Sequence, residues 1–180
     1  MSLAGPLILV GLPGAGKSTV GRAVAQKLGC GFVDFDVWLA ERSGSSIPQL
    51  FAEQGVEAFR KTEYDLTLEL RSEPPMVWSP GGGWATIPGI LALVRPSACI
   101  IHLLVSADGA LARLRQDASI RPLLSGNDPQ AVLDRLWRER ADRYAEADYV
   151  VETNGVTVEH VVQRVLELAL DKHTMDTSNE

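Results

Sequence analysis

The chain has 180 residues, of which 46% are hydrophobic and 22% charged, and its 17 basic and 23 acidic residues give a formal net charge of −6. This composition predicts one globular domain, and the acidic balance without a basic stretch argues against nucleic-acid binding. The apolar runs are too short to cross a bilayer, so no membrane partner is expected. The two cysteines fit no metal spacing and no leader sequence precedes the first strand, which favours a cytoplasmic location. Without a long exposed apolar stripe, we expect a monomer.

Short apolar runs alternate with amphipathic stretches along the chain. The predicted strands cover residues 7–10, 31–34, 76–78, 98–105 and 149–151. The predicted helices cover residues 17–28, 37–42, 48–54, 56–71, 88–93, 107–115, 129–145 and 158–170. This alternation predicts an α/β three-layer sandwich, with a five-stranded parallel sheet and helices on both faces. We expect one domain over residues 1–170, a mobile loop at 116–127 and a disordered polar tail at 171–180.

The first strand runs into a glycine-rich segment that opens the first helix. This segment reads Gly11-Leu12-Pro13-Gly14-Ala15-Gly16-Lys17-Ser18-Thr19 and matches the sequence motif of a P-loop. Its backbone N–H groups and the helix N-terminus would surround phosphate oxygens. The alternative is a chance glycine-rich turn. The P-loop hypothesis predicts a nucleoside triphosphate with Mg²⁺ on Ser18, Lys17 on the β- and γ-phosphates, and nucleotide contacts from Gly14, Ala15, Gly16, Lys17, Ser18 and Thr19.

Two aspartates end the second predicted strand. Ligands of open parallel sheets collect at the carboxyl ends of strands, so Asp34 and Asp36 should both face the nucleotide cleft. Asp34 is suited to hold Mg²⁺ beside Ser18, and Asp36 lies further out. The alternative is that one of the two only caps the following helix.

Four further segments make a more specific pattern. Residues 47–63 read Ile-Pro-Gln-Leu-Phe-Ala-Glu-Gln-Gly-Val-Glu-Ala-Phe-Arg-Lys-Thr-Glu, and Gly81-Gly82-Gly83 follows the third predicted strand. Arg121-Pro122-Leu123-Leu124 and an Arg140-x-x-x-Tyr144 pair come later. Together with the P-loop, in this order and over about residues 7–151, these segments resemble shikimate kinase.

The resemblance implies a P-loop kinase fold and transfer of the γ-phosphate of ATP to the 3-hydroxyl of shikimate. Lys17, Asp36 and Arg121 match the family's catalytic positions, with Asp36 accepting a hydrogen bond from the attacking hydroxyl. Arg121 would also contact ATP from a lid. The matched substrate-binding positions are Asp36, Phe51, Phe59, Arg60, Glu63, Gly81, Gly82, Gly83 and Arg140. Among these, Arg60 and Arg140 would clamp the carboxylate, Glu63 would hold Arg60, and the two phenylalanines would form an apolar wall.

Each of these assignments has a simpler alternative. Arg60 and Glu63 stand three residues apart and could form only a surface ion pair. The two phenylalanines could be plain core, the glycines a flexible turn, and Arg140 part of a solvated helix face. At the level of function, the alternatives are a related P-loop kinase, such as a gluconate kinase, and a nucleotide-binding protein without transfer activity.

Trp84 departs from the family pattern. Many shikimate kinases continue with Ala-Val after the three glycines, whereas this chain continues Trp84-Ala85-Thr86. A bulky indole at this point is expected either to pack beneath the lid or to reshape the acceptor pocket. The identity of the acceptor depends on which of the two occurs.

The lid assignment can be tested by one substitution. Arg121→Ala is expected to lower kcat by about tenfold or more, because a cation that neutralises charge in the transition state is lost. Circular dichroism and steady-state kinetics measure fold and rate on the same preparation. An unchanged kcat in a folded variant would remove Arg121 from the mechanism.

Overall fold

A five-stranded, all-parallel sheet forms the centre of the protein. A computed structural model describes residues 3–116 and 128–177, with side chains as far as residue 172. The strands are β1 (Leu7–Val10), β2 (Phe32–Asp34), β3 (Val77–Ser79), β4 (Cys99–Leu104) and β5 (Tyr149–Glu152). Their order in the sheet is β2-β3-β1-β4-β5. The predicted α/β fold with a five-stranded parallel sheet is confirmed.

Seven helices connect and flank the strands within the described residues. They are α1 (Lys17–Leu28), α2 (Phe35–Ser43), α3 (Ile47–Leu70), α4 (Ile90–Val94), α5 (Ala107–Leu114), α6 (Pro129–Tyr144) and α7 (Val158–Thr177), and a short 3-10 turn covers Trp84–Thr86. None of these helices is long and apolar enough to cross a membrane.

The last helix is longer than the sequence pattern predicted. It continues to Thr177, beyond the predicted end of the helix at residue 170, while the flexibility of the tail stays a prediction. The reason is a long-range anchor: the Lys172 ammonium lies 2.7 Å from the Asp148 carboxylate and donates to the Ala98 carbonyl at 2.8 Å. Both partners adjoin sheet strands, so α7 is held against the sheet at Lys172.

The register of the sheet brings the functional segments to one edge. All four residues of β1 are buried, as expected for the central strand of a parallel sheet covered on both faces. Asp34 at the end of β2 pairs in register with Ser79 at the end of β3, and Val10 pairs with His102 of β4. The P-loop, which begins at Gly11, therefore lies beside the polar ends of β2 and β3.

Helix α3 is bent at Gly55. Two helices, over residues 48–54 and 56–71, were predicted here, and the structure agrees: the run from Ile47 to Leu70 consists of two helices that meet at a non-helical residue, Gly55, at φ 79° and ψ 172°. The helix starts with a capping box between Ser46 and Gln49. The bend lets the two halves of α3 turn toward each other, and the rings of Phe51 and Phe59 meet across it with centroids 4.2 Å apart.

The strain at this bend predicts a stability difference between glycine substitutions. Gly55→Ala is expected to lower the free energy of unfolding by about 2 kcal/mol, because its backbone conformation is essentially restricted to glycine. Gly29→Ala is the matched control, since Gly29 ends α1 in the left-handed region and a Cβ would meet no atom within 4 Å. Gly29→Ala should lower the free energy of unfolding by about 1 kcal/mol. Urea denaturation measures both, and equal losses would contradict extra strain at the bend.

Candidate active site

The P-loop has the geometry of an anion site. Gly11, Gly14 and Gly16 all have positive φ, and a Cβ on Gly11 or Gly14 would press on the carbonyl oxygen of Leu103 or Ala110 at 2.5 or 2.8 Å. The N-terminus of α1 has no side-chain cap and no acidic residue in its first turn. Its free N–H groups and positive dipole end are therefore available to an anion.

Lys17 is held by the loop itself. Its ammonium donates to the carbonyl oxygens of Gly11 and Leu12 at 3.0 and 3.1 Å. Burial lowers the pKa of Lys17 to about 8, and nearby Arg140 acts in the same direction, while Asp36 and Asp34 oppose them. The lysine predicted to bind phosphates thus lies within electrostatic reach of the residues predicted to bind the acceptor. Of the other predicted nucleotide residues, Ala15 is buried in the loop and the Thr19 side chain is exposed on α1.

Ser18, Asp34 and Ser79 form a hydroxyl–carboxylate cluster beside the P-loop. The Ser18 hydroxyl donates to Asp34 Oδ2 at 2.5 Å, and the Ser79 hydroxyl lies 3.4 Å from that of Ser18. The other oxygen of Asp34 accepts the backbone N–H groups of Asp36 and Val37 and caps α2. Asp34 therefore caps α2, which was the alternative to a metal role, and its second oxygen stays in contact with Ser18. Ser79 was not among the predicted residues, although its place at a strand end beside Asp34 is a signal that sequence can give.

Asp36 does not cap α2, and its carboxylate lies within electrostatic reach of Lys17 and Arg60. Its Oδ1 would lie 3.2 Å from a Cβ placed on Gly81, so the carboxylate lies close against the backbone there. Desolvation is the main cause that raises the pKa of Asp36, and the Asp34 carboxylate adds to it, whereas Lys17 and Arg60 lower it. A carboxylate with a raised pKa is a better proton acceptor than an ordinary aspartate.

The three consecutive glycines, which we call the glycine loop (Gly81, Gly82 and Gly83), lie directly under charged side chains. A Cβ on Gly81 would lie 2.8 Å from Glu63 Oε1, and a Cβ on Gly82 would lie 2.8 Å from Arg140 Nη1. A Cβ on Gly83 would overlap the Arg60 guanidinium. The loop is therefore a surface on which both predicted arginines rest, and the alternative of a merely flexible turn does not account for three separate close approaches.

The Arg60–Glu63 pair is not a surface ion pair. Arg60 Nη1 donates to Glu63 Oε2, and the Glu63 side chain is 0% exposed. Burial raises the pKa of Glu63 to about 7, and Arg60 only partly offsets it. The second oxygen, Oε1, has no hydrogen-bond partner among the described residues and faces Gly81. Glu63 thus holds Arg60 from inside the fold.

Arg140 reaches the glycine loop from the opposite side. Arg135, Arg138 and Arg143 on α6 are exposed, whereas Arg140 is half-buried over Gly82. The Tyr144 hydroxyl donates to the carbonyl oxygen of Gly82 at 2.5 Å, and nearby Arg140 opposes the rise that burial gives to the pKa of Tyr144. The solvated-face alternative for Arg140 is therefore wrong.

The aromatic rings of His102 and Trp137 pack next to Tyr144. The ring of His102 lies 4.9 Å from that of Tyr144 and stacks on Trp137 at 5.9 Å. Burial lowers the pKa of His102 to about 4, so the imidazole stays neutral. Tyr144 is itself almost fully buried, which fixes its hydroxyl under the loop.

The structure shows where the three aromatic residues named in the sequence analysis lie: Phe51, Phe59 and Trp84. Phe59 is buried and Phe51 is half-buried beside it, so the pair joins the core to the cleft. Trp84 does not narrow the mouth of the pocket: it is fully buried, and its indole Nε1 donates to Thr67 Oγ1 at 2.9 Å. The indole therefore lies in the core, and its packing beneath the lid stays a prediction because the lid is outside the described residues.

Arg113 contacts the P-loop and was not predicted from the sequence. Its guanidinium donates to the carbonyl oxygen of Gly14 at 3.2 Å and to the Thr153 hydroxyl at 3.1 Å. It ties α5 and the end of β5 to the phosphate loop. No sequence signal distinguishes it from other helix arginines. Arg121, the predicted lid residue, lies outside the described residues.

A P-loop beside arginines and carboxylates that converge at the strand ends is typical of a P-loop kinase that acts on a small molecule. The family model described as shikimate kinase matches residues 13–169. The chain belongs to the shikimate kinase family, as the resemblance predicted.

Individual relatives agree with this assignment. The chain is similar to shikimate kinase from Synechococcus sp. (strain CC9605), with 40% identity over 162 residues that cover 90% of this chain and 81% of the relative. Shikimate kinase from Mycobacterium tuberculosis is 37% identical over 163 residues, covering 88% and 92%. The solved structure of Acinetobacter baumannii shikimate kinase in complex with shikimate has a TM-score of 0.86 and 33% identity, covering 93% and 94%. The predicted ATP-dependent kinase is confirmed at the level of the family.

The lowered pKa of Lys17 predicts a pH dependence of ATP binding. Only the protonated lysine attracts phosphates, and in the free protein its pKa is about 8. Bound phosphates raise that pKa, so affinity is full below about pH 8 and weakens as the pH rises above it. Calorimetric titration of ATP from roughly pH 6.5 to roughly pH 9.5 measures this. The Lys17→Met control should bind weakly at every pH, and an equally steep loss in that variant would assign the dependence to another group.

Proposed function

We propose that this protein transfers the γ-phosphate of ATP to the 3-hydroxyl of shikimate, giving shikimate 3-phosphate and ADP. The observation that carries the proposal is the convergence of Arg60, Arg140, Glu63 and Asp36 on the glycine loop, beside the P-loop lysine. A small acid with several hydroxyls needs cationic forks for its carboxylate and carboxylate acceptors for its hydroxyls. Both are present on one surface.

The acceptor would lie over the glycine loop between α3 and α6. Arg60 and Arg140 would bind its carboxylate, and the backbone N–H groups of Gly82 and Gly83 would offer further donors, since glycine has no side chain of its own. Phe59 and Phe51 offer an apolar wall to the ring at the bend of α3. Glu63, held on one oxygen by Arg60, keeps Oε1 toward the same surface and can accept a hydroxyl hydrogen bond.

Asp36 would accept the hydrogen bond of the attacking hydroxyl. Phosphoryl transfer has a loose transition state, so orientation of the hydroxyl and neutralisation of phosphate charge account for most of the rate. Asp36 supplies the orientation, and its raised pKa suits it to take the proton as the new P–O bond forms. Lys17 supplies positive charge at the phosphates, within electrostatic reach of Asp36.

Mg²⁺ would be held by Ser18 and Asp34. A hydroxyl and a carboxylate 2.5 Å apart fit an ion that takes few protein ligands and keeps waters and phosphate oxygens in its shell. When bound, the ion would supply positive charge that neutralises the phosphates.

The remaining assignments are supported by sequence alone. Arg121 as a lid residue, the monomeric state and the cytoplasmic location stay predictions. The gluconate kinase alternative has weaker support: a Sinorhizobium meliloti gluconokinase has a TM-score of 0.67 but 16% identity, which is a likeness of fold. ADP release measured with shikimate and with gluconate separates the two kinases, and ATP binding without release from either would favour a protein without transfer activity.

Asp36→Asn tests the role of the acceptor carboxylate. The amide cannot take the hydroxyl proton, so kcat is expected to fall by about a hundredfold or more while the Kd for ATP stays within about twofold. Asp65→Asn is the control, because Asp65 is an exposed acid on α3 paired with Lys61. It should leave both constants unchanged. Loss of ATP binding together with kcat in Asp36→Asn would point to a structural or metal role instead.

A further inference from the structure

Trp84 connects the glycine loop to the helix that carries Arg60. It follows Gly83 directly and begins the 3-10 turn, and its backbone N–H donates to the Gly81 carbonyl oxygen at 2.9 Å. Its side chain is 0% exposed, and its indole N–H donates to the Thr67 hydroxyl at 2.9 Å. The residue therefore closes the loop with its backbone and fastens it to α3 with its side chain.

The indole–Thr67 hydrogen bond joins Trp84 to the turn of α3 that contains Glu63. The Thr67 hydroxyl, which accepts from the indole, donates to the carbonyl oxygen of Glu63 at 2.8 Å. Glu63 in turn holds Arg60, whose guanidinium occupies the space that a Cβ on Gly83 would take. A chain of two hydrogen bonds and one ion pair thus runs from Trp84 to the guanidinium that rests on its neighbour.

The loop needs such an anchor because three glycines have no side chains with which to fasten themselves. On the α6 side, Tyr144 holds the loop through the Gly82 carbonyl oxygen. On the α3 side, the indole–Thr67 bond joins positions 17 residues apart in sequence. A buried indole that loses this bond would keep its packing but leave the Thr67 hydroxyl without its donor.

We propose that Trp84 is a positioning residue for the acceptor, which fixes the distance between the glycine loop and α3 and so the place of the Arg60 guanidinium. The proposal rests on the proposed role of Arg60 in binding shikimate. Position 84 is where this chain departs from the family pattern, and the proposal gives the tryptophan there a role in acceptor binding. ATP binding should not depend on it.

Trp84→Phe is the first test, with Trp78→Phe as matched control. Both indoles are buried in the same core, but Nε1 of Trp78 has no hydrogen-bond partner among the described residues. Both changes remove a similar volume, so both should lower the melting temperature. Only Trp84→Phe should raise the KM for shikimate, by about fivefold, with the KM for ATP unchanged. Equal effects of the two variants on the KM for shikimate would overturn the proposal.

Thr67 gives a second test that does not alter the tryptophan. Thr67→Val keeps the shape and removes the hydroxyl, whereas Thr67→Ser keeps the hydroxyl. The valine variant should raise the KM for shikimate as Trp84→Phe does. The serine variant should keep the KM for shikimate near the wild-type value. In the double variant Trp84→Phe/Thr67→Val the two effects should fall short of additive, because they remove one bond. Additive effects, or a serine variant as impaired as the valine one, would overturn the positioning role.

Arg60→Lys separates this proposal from the function on which it rests. A lysine cannot bind a carboxylate as a fork, so the KM for shikimate should rise. If Arg60→Lys leaves the KM for shikimate unchanged, the proposed acceptor clamp fails. If Arg60→Lys raises it and the Trp84 and Thr67 variants do not, the clamp stands and the positioning role of Trp84 fails.

Discussion

The contact between a backbone without side chains and three charged groups is the constraint on which the site depends. Gly81, Gly82 and Gly83 let Glu63, Arg140 and Arg60 come closer to the main chain than any Cβ would allow. The helices α3 and α6 can therefore bring their arginines to one surface from opposite sides. Because the glycines have no side chains to hold the loop in place, two buried aromatic residues do so. Tyr144 donates to the Gly82 carbonyl oxygen, and Trp84 donates to the Thr67 hydroxyl.

The phosphate half and the acceptor half of the site meet at the start of the P-loop. A Cβ on Gly82 would lie 3.3 Å from the Gly11 carbonyl oxygen, which also accepts the Lys17 ammonium. Partial desolvation of this region lowers the pKa of Lys17 and raises those of Asp36 and Glu63. The opposite charges offset one another before any ligand arrives.

The sequence predicted best where the signal is local. The start of α1, the ends of β1 and the phosphate loop follow from apolar runs and glycine spacing, and the structure has them where they were expected. It predicted less well where distant contacts decide. Helix α7 continues past residue 170 because Lys172 reaches Asp148 and Ala98, and Trp84 enters the core because Thr67 accepts its indole N–H. Arg113 could not be singled out, since its partners Gly14 and Thr153 are far from it in sequence.

The sequence by itself determined the alternation of strands and helices, the phosphate loop and the family resemblance that names the acceptor-site residues. Periodicity, glycine conformation and motif order are properties of short segments, so they can be recognised before the chain folds. Only the tertiary structure decided which arginine of α6 turns inward, that Asp34 rather than Asp36 caps α2, and that Glu63 is buried. Burial, close approach and shifted pKa values arise between elements far apart in the chain, so the packing of those elements sets them.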